Sequence, residues 1–217
     1  EIWQIGDIKV TRIVEMEVTG GSRFILPDAT REACLDYSWM QPHFMDASGN
    51  LVMSIHALVI ETPSQKMIVD TCIGNDKQRN IPTWTNLQLP FLEDLQEAGY
   101  DRLEIDTVMC THLHVDHVGW NTMLVDNEWV PTFPNASYLF GETEYRYWES
   151  RYKEMSWIRD AFEDSVLPVM KYRTSCKQNS RERTPRNQRF SRQAIQILKG
   201  EIIFTRTSFL KLSYTLS

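Results

Sequence analysis

The chain has 217 residues, 42% of them hydrophobic, which is enough for one domain with an apolar core. It has no run of 18 or more apolar residues and no export leader, so we predict neither a transmembrane helix nor secretion. Residues 1–170 carry 12 basic and 27 acidic side chains, a net charge of −15. Residues 171–217 carry 11 basic and 2 acidic side chains, a net charge of +9. We therefore expect one domain followed by a basic tail.

The four cysteines, Cys34, Cys72, Cys110 and Cys176, are widely spaced and form no Cys-x-x-Cys pair. Such spacing is typical of buried, reduced thiols rather than of a disulfide framework. We therefore expect a cytoplasmic location.

The first part of the chain is predicted to alternate strands and turns. Residues 2–18 alternate well enough for two strands, with Gly6-Asp7 as the turn. Residues 29–39 indicate a short helix. Residues 52–70 indicate a hairpin whose turn is residues 62–65.

The middle of the chain is predicted to follow a loop–helix–strand order. Residues 71–85 contain Gly, Asn and Pro and are predicted to be a loop. Residues 90–98 are predicted to be a helix that Gly99 ends. Residues 106–110 and 137–140 are predicted to be strands.

Residues 143–162 are predicted to be a single helix with an aromatic stripe. Apolar side chains recur there at spacings of three and four: Tyr145, Trp148, Tyr152, Met155, Ile158 and Phe162. Such a stripe most often packs into a core. A role as a cap over a substrate cleft stays open as the alternative.

Residues 111–121 hold the most informative pattern. His112, His114 and His117 fall within six positions, with Asp116 between them, directly after the predicted strand 106–110. In extended backbone, side chains at i and i+2 point to the same side, so His112 and His114 can converge on one point. Asp116 and His117 follow at the turn and can face a second point nearby. Imidazole together with one carboxylate is a ligand set that suits Zn, Fe or Mn. The alternative is that these are only polar residues of a surface loop.

At these residues the chain resembles the metallo-β-lactamase superfamily, whose motif is His-x-His-x-Asp-His at the end of a core strand. The resemblance spans roughly residues 2–170 and includes the early hairpin that ends in Asp70-Thr71. The segment 110–121 looks most like the branch of lactonase-like, esterase-like and organophosphate-hydrolase-like enzymes. The resemblance implies an α/β fold, a four-layer αββα sandwich. Here we expect it to be incomplete in its second half.

The resemblance also implies two divalent metal ions, most readily Zn, with Fe or Mn as alternatives. His112 and His114 would hold the first metal, and Asp116 and His117 the second. A metal-bound hydroxide would then attack an ester, lactone or related bond. Asp116 would also act as the catalytic general acid/base.

The family's later ligands have no counterpart in this chain. No histidine follows His117, and the last aspartate is Asp164. Either residues 171–217 derive from an altered reading frame or altered splicing, which we favour, or the chain is a short variant with a degenerate site. His43 and His56 are better explained as ordinary surface or core histidines than as substitutes, and Asp70 is expected to brace the metal loop.

We therefore predict a metal-dependent hydrolase with a small-molecule substrate. The alternative is a catalytically inactive, truncated family member with a partial metal site. We expect no membrane partner. We interpret the basic tail, residues 171–217, as a solvated or disordered segment rather than a nucleic-acid contact, and a homodimer stays open.

Overall fold

The structure is a computed structural model that describes residues 1–172 and, for its backbone, the strand at residues 195–198. Its nine strands are β1 (Ile2–Ile5), β2 (Ile8–Thr19), β3 (Val52–Glu61), β4 (Lys66–Val69), β5 (Thr107–Met109), β6 (Thr122–Val125), β7 (Glu128–Pro131), β8 (Ser137–Gly141) and β9 (Ile195–Leu198). Its α-helices are α1 (Arg31–Leu35), α2 (Phe91–Glu97), α3 (Glu142–Arg151) and α4 (Ser156–Ala161).

Seven strands form one mixed sheet in the order β1-β2-β3-β4-β5-β8-β9. The first four strands pair antiparallel, and β4, β5, β8 and β9 pair parallel. The strands β6 and β7 form a separate hairpin. The carboxyl ends of the central parallel strands therefore meet at one edge of the sheet, which is where ligands bind in open α/β sheets.

Most of the predicted strands and helices up to residue 141 are confirmed. The strands β1 and β2 with their Gly6-Asp7 turn, the hairpin of β3 and β4, helix α2 and strands β5 and β8 all lie where the sequence indicates. The predicted helix at residues 29–39 is shorter, because α1 covers only Arg31–Leu35 and a 3₁₀ turn follows at Ser38–Met40.

The prediction of one continuous helix at residues 143–162 is wrong. Helix α3 ends at Arg151, a 3₁₀ turn covers Tyr152–Glu154, and Met155 has extended backbone (φ −117°, ψ 103°) before α4 begins. A π-helical turn, Phe162–Val166, follows α4. The break brings Tyr152 and Phe162 into a stacked contact with ring centroids 4.6 Å apart. Aromatic packing thus outweighs helix continuity here.

The core lies between the sheet and helices α2, α3 and α4. Strand residues Ile68, Val108 and Tyr138 share one buried cluster with helix residues such as Phe91 and Phe162. Most of the predicted aromatic stripe is buried in this cluster, which confirms its packing role. Because the described residues form one large sheet with helices packed on one face, they correspond to part of the α/β sandwich that the resemblance implies.

The predictions for the cysteines and the tail have different outcomes. Cys34, Cys72 and Cys110 are buried free thiols, as predicted. Cys176 and most of the basic tail, residues 171–217, lie outside the described residues, although β9 falls within that tail. Among the described residues, no helix is long and apolar enough to cross a membrane.

Candidate functional site

Strand β5 delivers the histidine motif to the edge of the sheet. It lies between β4 and β8, and all three residues of β5 are buried. The strand ends at Met109, and residues 110–118 form bends and turns. The motif therefore begins just past the strand, at the edge of the sheet. A turn closed by the His117 amide donating to the His114 carbonyl, at 3.0 Å, brings His117 back toward His114.

The three imidazole rings lie close together. The ring centroids of His112 and His114 are 4.5 Å apart, and those of His112 and His117 are 3.9 Å apart. The Asp116 carboxylate lies 3.5 Å from His117 Nε2. All four side chains are half-buried. The structure thus brings together the four residues that the sequence predicted.

Asp70 supports this cluster from behind, as the sequence predicted. It follows β4 in left-handed backbone (φ 57°) and accepts hydrogen bonds from the Thr111 amide (2.8 Å) and from His117 Nδ1 (2.9 Å). Burial opposes a charged His117, but hydrogen bonds to Asp116 and Asp70 outweigh it and raise the pKa of His117 to about 9. Because Asp70 engages Nδ1, Nε2 of His117 is the atom left to face the motif.

Two further motif residues, His112 and Asp116, have pKa values lowered from their ordinary ranges. Burial disfavours the imidazolium of His112, and the neighbouring His117 and His114 add to this effect, so the pKa of His112 is lowered. Burial alone would raise the pKa of Asp116, but the hydrogen bond and charge of His117, a backbone hydrogen bond and the charge of His112 together outweigh it and lower that pKa. In the absence of metal, the charged form is thus favoured at His117 and disfavoured at His112.

Glu15 fixes the loops on which the motif rests, and sequence reasoning missed it. It sits in β2 at an irregularity of register between Val14 and Met16, and such bulges re-aim side chains. Its buried carboxylate accepts from the amides of Ile73 (2.8 Å) and Gly74 (3.0 Å) and from Trp120 Nε1 (2.7 Å). Burial raises the pKa of Glu15. No motif in the sequence marks this residue, because its partners lie about 60 and 105 positions away.

A second missed residue, Glu144, ties helix α3 to the motif. Its Oε1 accepts from the Leu113 amide (3.1 Å) and from Trp148 Nε1 (2.7 Å). Leu113 lies between His112 and His114, so this carboxylate holds the backbone of the motif. The broken helical segment therefore contributes to the site as well as to the core.

The remaining histidines have other environments. His56 lies in β3, where its Nδ1 is 3.1 Å from Ser54 Oγ, and burial lowers its pKa. His43 is exposed in the loop before β3. Asp164, the last aspartate, forms a two-contact ion pair with Arg79, at 2.7 and 3.2 Å. These placements give Asp164 a partner other than a metal.

The donor types at the motif suit a divalent metal, but their arrangement is incomplete. Imidazole nitrogens and a carboxylate are the ligands that Zn, Fe and Mn accept. Within residues 1–172, however, no group of three or more His, Cys, Asp or Glu side chains is arranged to hold an ion. The rings of His112 and His117 are tilted by 48° with their centroids 3.9 Å apart, and Asp70 and Asp116 engage the two ring nitrogens of His117. Metal binding therefore needs further ligands or a rotation of these rings.

Solved structures share this fold at low identity. The chain is similar to the dizinc quorum-quenching lactonase AidC (19% identity, TM-score 0.51, 68% of this chain and 46% of that one). It is also similar to a probable metal-dependent hydrolase from Staphylococcus aureus (19% identity, TM-score 0.54, 69% of this chain and 52% of that one). A third similar structure is the hydrolase AbOPH of the beta lactamase superfamily (19% identity, TM-score 0.56, 82% of this chain and 58% of that one). The chain thus spans about half the length of these structures.

No curated protein matches the chain. The family profile described as the metallo-beta-lactamase superfamily, in contrast, matches residues 51–174. This range begins just before β3 and takes in the histidine motif, Asp70 and Glu144. Because it covers more than half of the 217 residues, the chain belongs to the metallo-beta-lactamase superfamily.

Proposed function

We propose that this chain carries the motif half of the active site of a metal-dependent hydrolase that cleaves esters, lactones or related bonds. The gathering of three imidazoles and Asp116 at the carboxyl edge of the sheet, braced by Asp70, supports this proposal most directly. The relatives of known structure include a lactonase and other hydrolases. Two divalent metals, most readily Zn, are part of the proposal.

Each motif residue has a proposed role. His112 and His114 would hold one metal, and Asp116 and His117 would hold the other. When bound, the metals lower the pKa of water and withdraw charge from the bond that is cleaved. Asp70 fixes the ring of His117 through Nδ1, and Asp116 moves a proton between the nucleophile and the leaving group. Further ligands would be needed to complete the shell.

One observation favours the alternative of an inactive family member with a partial site. Within residues 1–172 the potential ligands do not form a group of three or more that could hold an ion. If no other segment supplies the missing ligands, the motif binds metal weakly and no turnover follows.

Metal content and hydrolysis, measured on the same preparations, test the proposal. We expect about two metals per chain and turnover of aryl ester or lactone substrates. His114→Ala should lose metal and lower kcat/KM by at least about 100-fold, because it removes a proposed ligand. His43→Ala is the matched control, since it removes an exposed histidine from another loop and should change neither quantity.

The outcomes separate the two functions. Fewer than one metal per chain, lost readily to a chelator and without turnover, would establish the inactive alternative. Turnover that survives in His114→Ala would remove the motif from the mechanism altogether.

A further inference from the structure

Three aromatic side chains form a surface beside the motif, which we call the aromatic wall: Tyr147, Trp148 and Trp157. The ring centroid of His114 lies 5.3 Å from Trp157 and 6.1 Å from Trp148, at interplanar angles of 78° and 63°. Trp148 in turn lies 5.3 Å from Trp157 and 4.8 Å from Tyr147, again edge to face. The wall is therefore continuous with a proposed metal ligand.

Core packing explains only one member of the wall. Trp148 is 6% exposed and belongs to the buried core. Trp157 is 41% exposed and Tyr147 is 44% exposed, and neither belongs to that core. Large aromatic rings left open beside a polar site are typical of ligand contacts rather than of packing.

The wall is fixed to the motif through Glu144. One carboxylate oxygen accepts from both Trp148 Nε1 (2.7 Å) and the Leu113 amide (3.1 Å). Any shift of Trp148 relative to His112 and His114 would break one of these hydrogen bonds. The wall thus has a set position relative to the histidines, as a substrate-orienting surface requires.

The charges around the wall favour an uncharged occupant. The Glu144 carboxylate, which accepts from Trp148 Nε1, would repel an anion placed against the wall. Arg151 already lies 5.0 Å over the Tyr147 ring, where a cationic group would otherwise bind. Edge-to-face ring clusters extend most favourably by adding another aromatic ring.

We propose that the aromatic wall binds a planar, uncharged aromatic group of the substrate, so that the substrates are aryl-bearing esters or lactones, and that Glu144 is the positioning residue that aligns the wall with the motif. This proposal rests on the proposed hydrolase function for its chemistry. Its binding step needs no turnover, which allows a separate test.

The test measures the binding of two neutral amides to the full, metal-supplemented chain by calorimetry. Naphthalene-2-carboxamide is planar, and decahydronaphthalene-2-carboxamide is its saturated counterpart. We expect the planar probe to bind about 3- to 10-fold more tightly, since aromatic pairs gain that much beyond buried area. Equal affinity for both probes would overturn the aromatic assignment, as would tighter binding of the saturated probe, which would indicate an alkyl chain.

Substitutions assign the binding to the wall. Trp157→Leu should remove the preference for the planar probe, whereas Trp157→Phe should retain part of it. Trp39→Leu is the matched control, because Trp39 is 70% exposed on the Ser38–Met40 turn and its ring contacts Phe44 rather than the wall, so this change should have no effect. A preference unchanged in Trp157→Leu would overturn the proposal, whether or not the chain hydrolyses any ester.

Glu144 is tested by a conservative pair. Glu144→Gln keeps an oxygen that can accept both hydrogen bonds and should retain the preference for the planar probe. Glu144→Ala releases Trp148 and the Leu113 amide and should lose that preference while the chain stays folded by circular dichroism. Loss in both variants, or in neither, would exclude the positioning role.

Discussion

At the scale of single residues, the glycine after the motif shows how tightly the site loops pack. A Cβ atom at Gly119 would lie 1.8 Å from the carbonyl oxygen of Ile73 and 1.9 Å from its carbon. The Gly119 amide also donates to the Cys72 carbonyl at 2.8 Å, which holds the two loops together. Because the obstacle is backbone, no side-chain rotation can relieve the clash.

Gly119→Ala should therefore lower the free energy of unfolding by about 2–3 kcal/mol or more, since overpacking of this kind displaces backbone. Gly141→Ala is the matched control. Its Cβ would meet only Glu144 Cβ at 3.7 Å, so it should change stability by less than about 0.5 kcal/mol. Urea unfolding of both variants gives the comparison. A Gly119→Ala chain as stable as the Gly141→Ala chain would contradict the packing described here.

The residue types in the sequence revealed the histidine motif but not the two residues that hold its loops in place, Glu15 and Glu144. Three histidines and one aspartate within six positions are a local pattern, and the structure gathers them. Glu15 and Glu144 act through the fold, reaching partners that are about 60 and 31 positions away. A single sequence carries no trace of such pairs, because any surface glutamate has the same local pattern.

At the scale of elements, a buried cluster joins the loop after β4, the β6–β7 hairpin and the π-helical turn. Lys77 Nζ donates to Thr122 Oγ1 at 2.6 Å, lies 3.7 Å from Asp164 and sits 3.6 Å over the Trp129 ring. Arg79 pairs with the same Asp164. Although Asp164 favours the charged lysine, burial dominates and lowers the pKa of Lys77 to about 7.

This cluster predicts a specific dependence of stability on pH. The folded pKa of Lys77, about 7, lies below its ordinary value of 10.5. Between these values the unfolded chain binds more protons, so this lysine makes the free energy of unfolding rise with pH. Its destabilising effect is complete below pH 7 and is relieved as pH rises toward 10.5. Relative to Lys77→Met, the unsubstituted chain should gain up to about 1.4 kcal/mol per pH unit from pH 7 to 10.

Lys66→Met provides the control for this measurement. Lys66 pairs with Glu104 at 2.6 Å near the surface, and its pKa is raised rather than lowered. Its stability difference from the unsubstituted chain should therefore stay flat over the same pH range. Unfolding in urea at each pH gives both differences, and a flat difference for Lys77→Met would show that the lysine titrates normally in the fold.

The elements that the sequence missed have separate physical causes. The β6–β7 hairpin turns through Asp126 and Asn127, both in left-handed backbone, without the glycine that usually marks such a turn. The break in the predicted helix at residues 143–162 falls where apolar spacing continues unchanged, because aromatic contacts across the break decide the geometry. Periodicity thus located the buried side chains correctly and the helix boundaries poorly.

At the scale of the whole molecule, the sheet is apolar on both faces. One face packs against helices α2, α3 and α4. The other carries a smaller cluster made only of strand residues: Leu58, Ile60, Met67, Val69, Met109 and Leu139. Parallel strands are normally covered on both faces, and in a four-layer sandwich the second cover is another sheet. The chain spans about half the length of its relatives of known structure, which fits one sheet of such a pair.

Substitutions at two adjacent residues of β8 measure how much each face of the sheet contributes to the free energy of unfolding. Phe140 is fully buried on the helix side, and Leu139 is 8% exposed on the other side. Phe140→Ala should cost about 3–5 kcal/mol of unfolding free energy, and Leu139→Ala about 2–3 kcal/mol, because both leave cavities. Leu124→Ala, in the hairpin and 37% exposed, should cost far less. If Leu139→Ala cost no more than Leu124→Ala, the second face would be stabilising nothing in this chain. A large cost would show instead that this face is packed, so that the sheet is held from both sides as the sandwich requires.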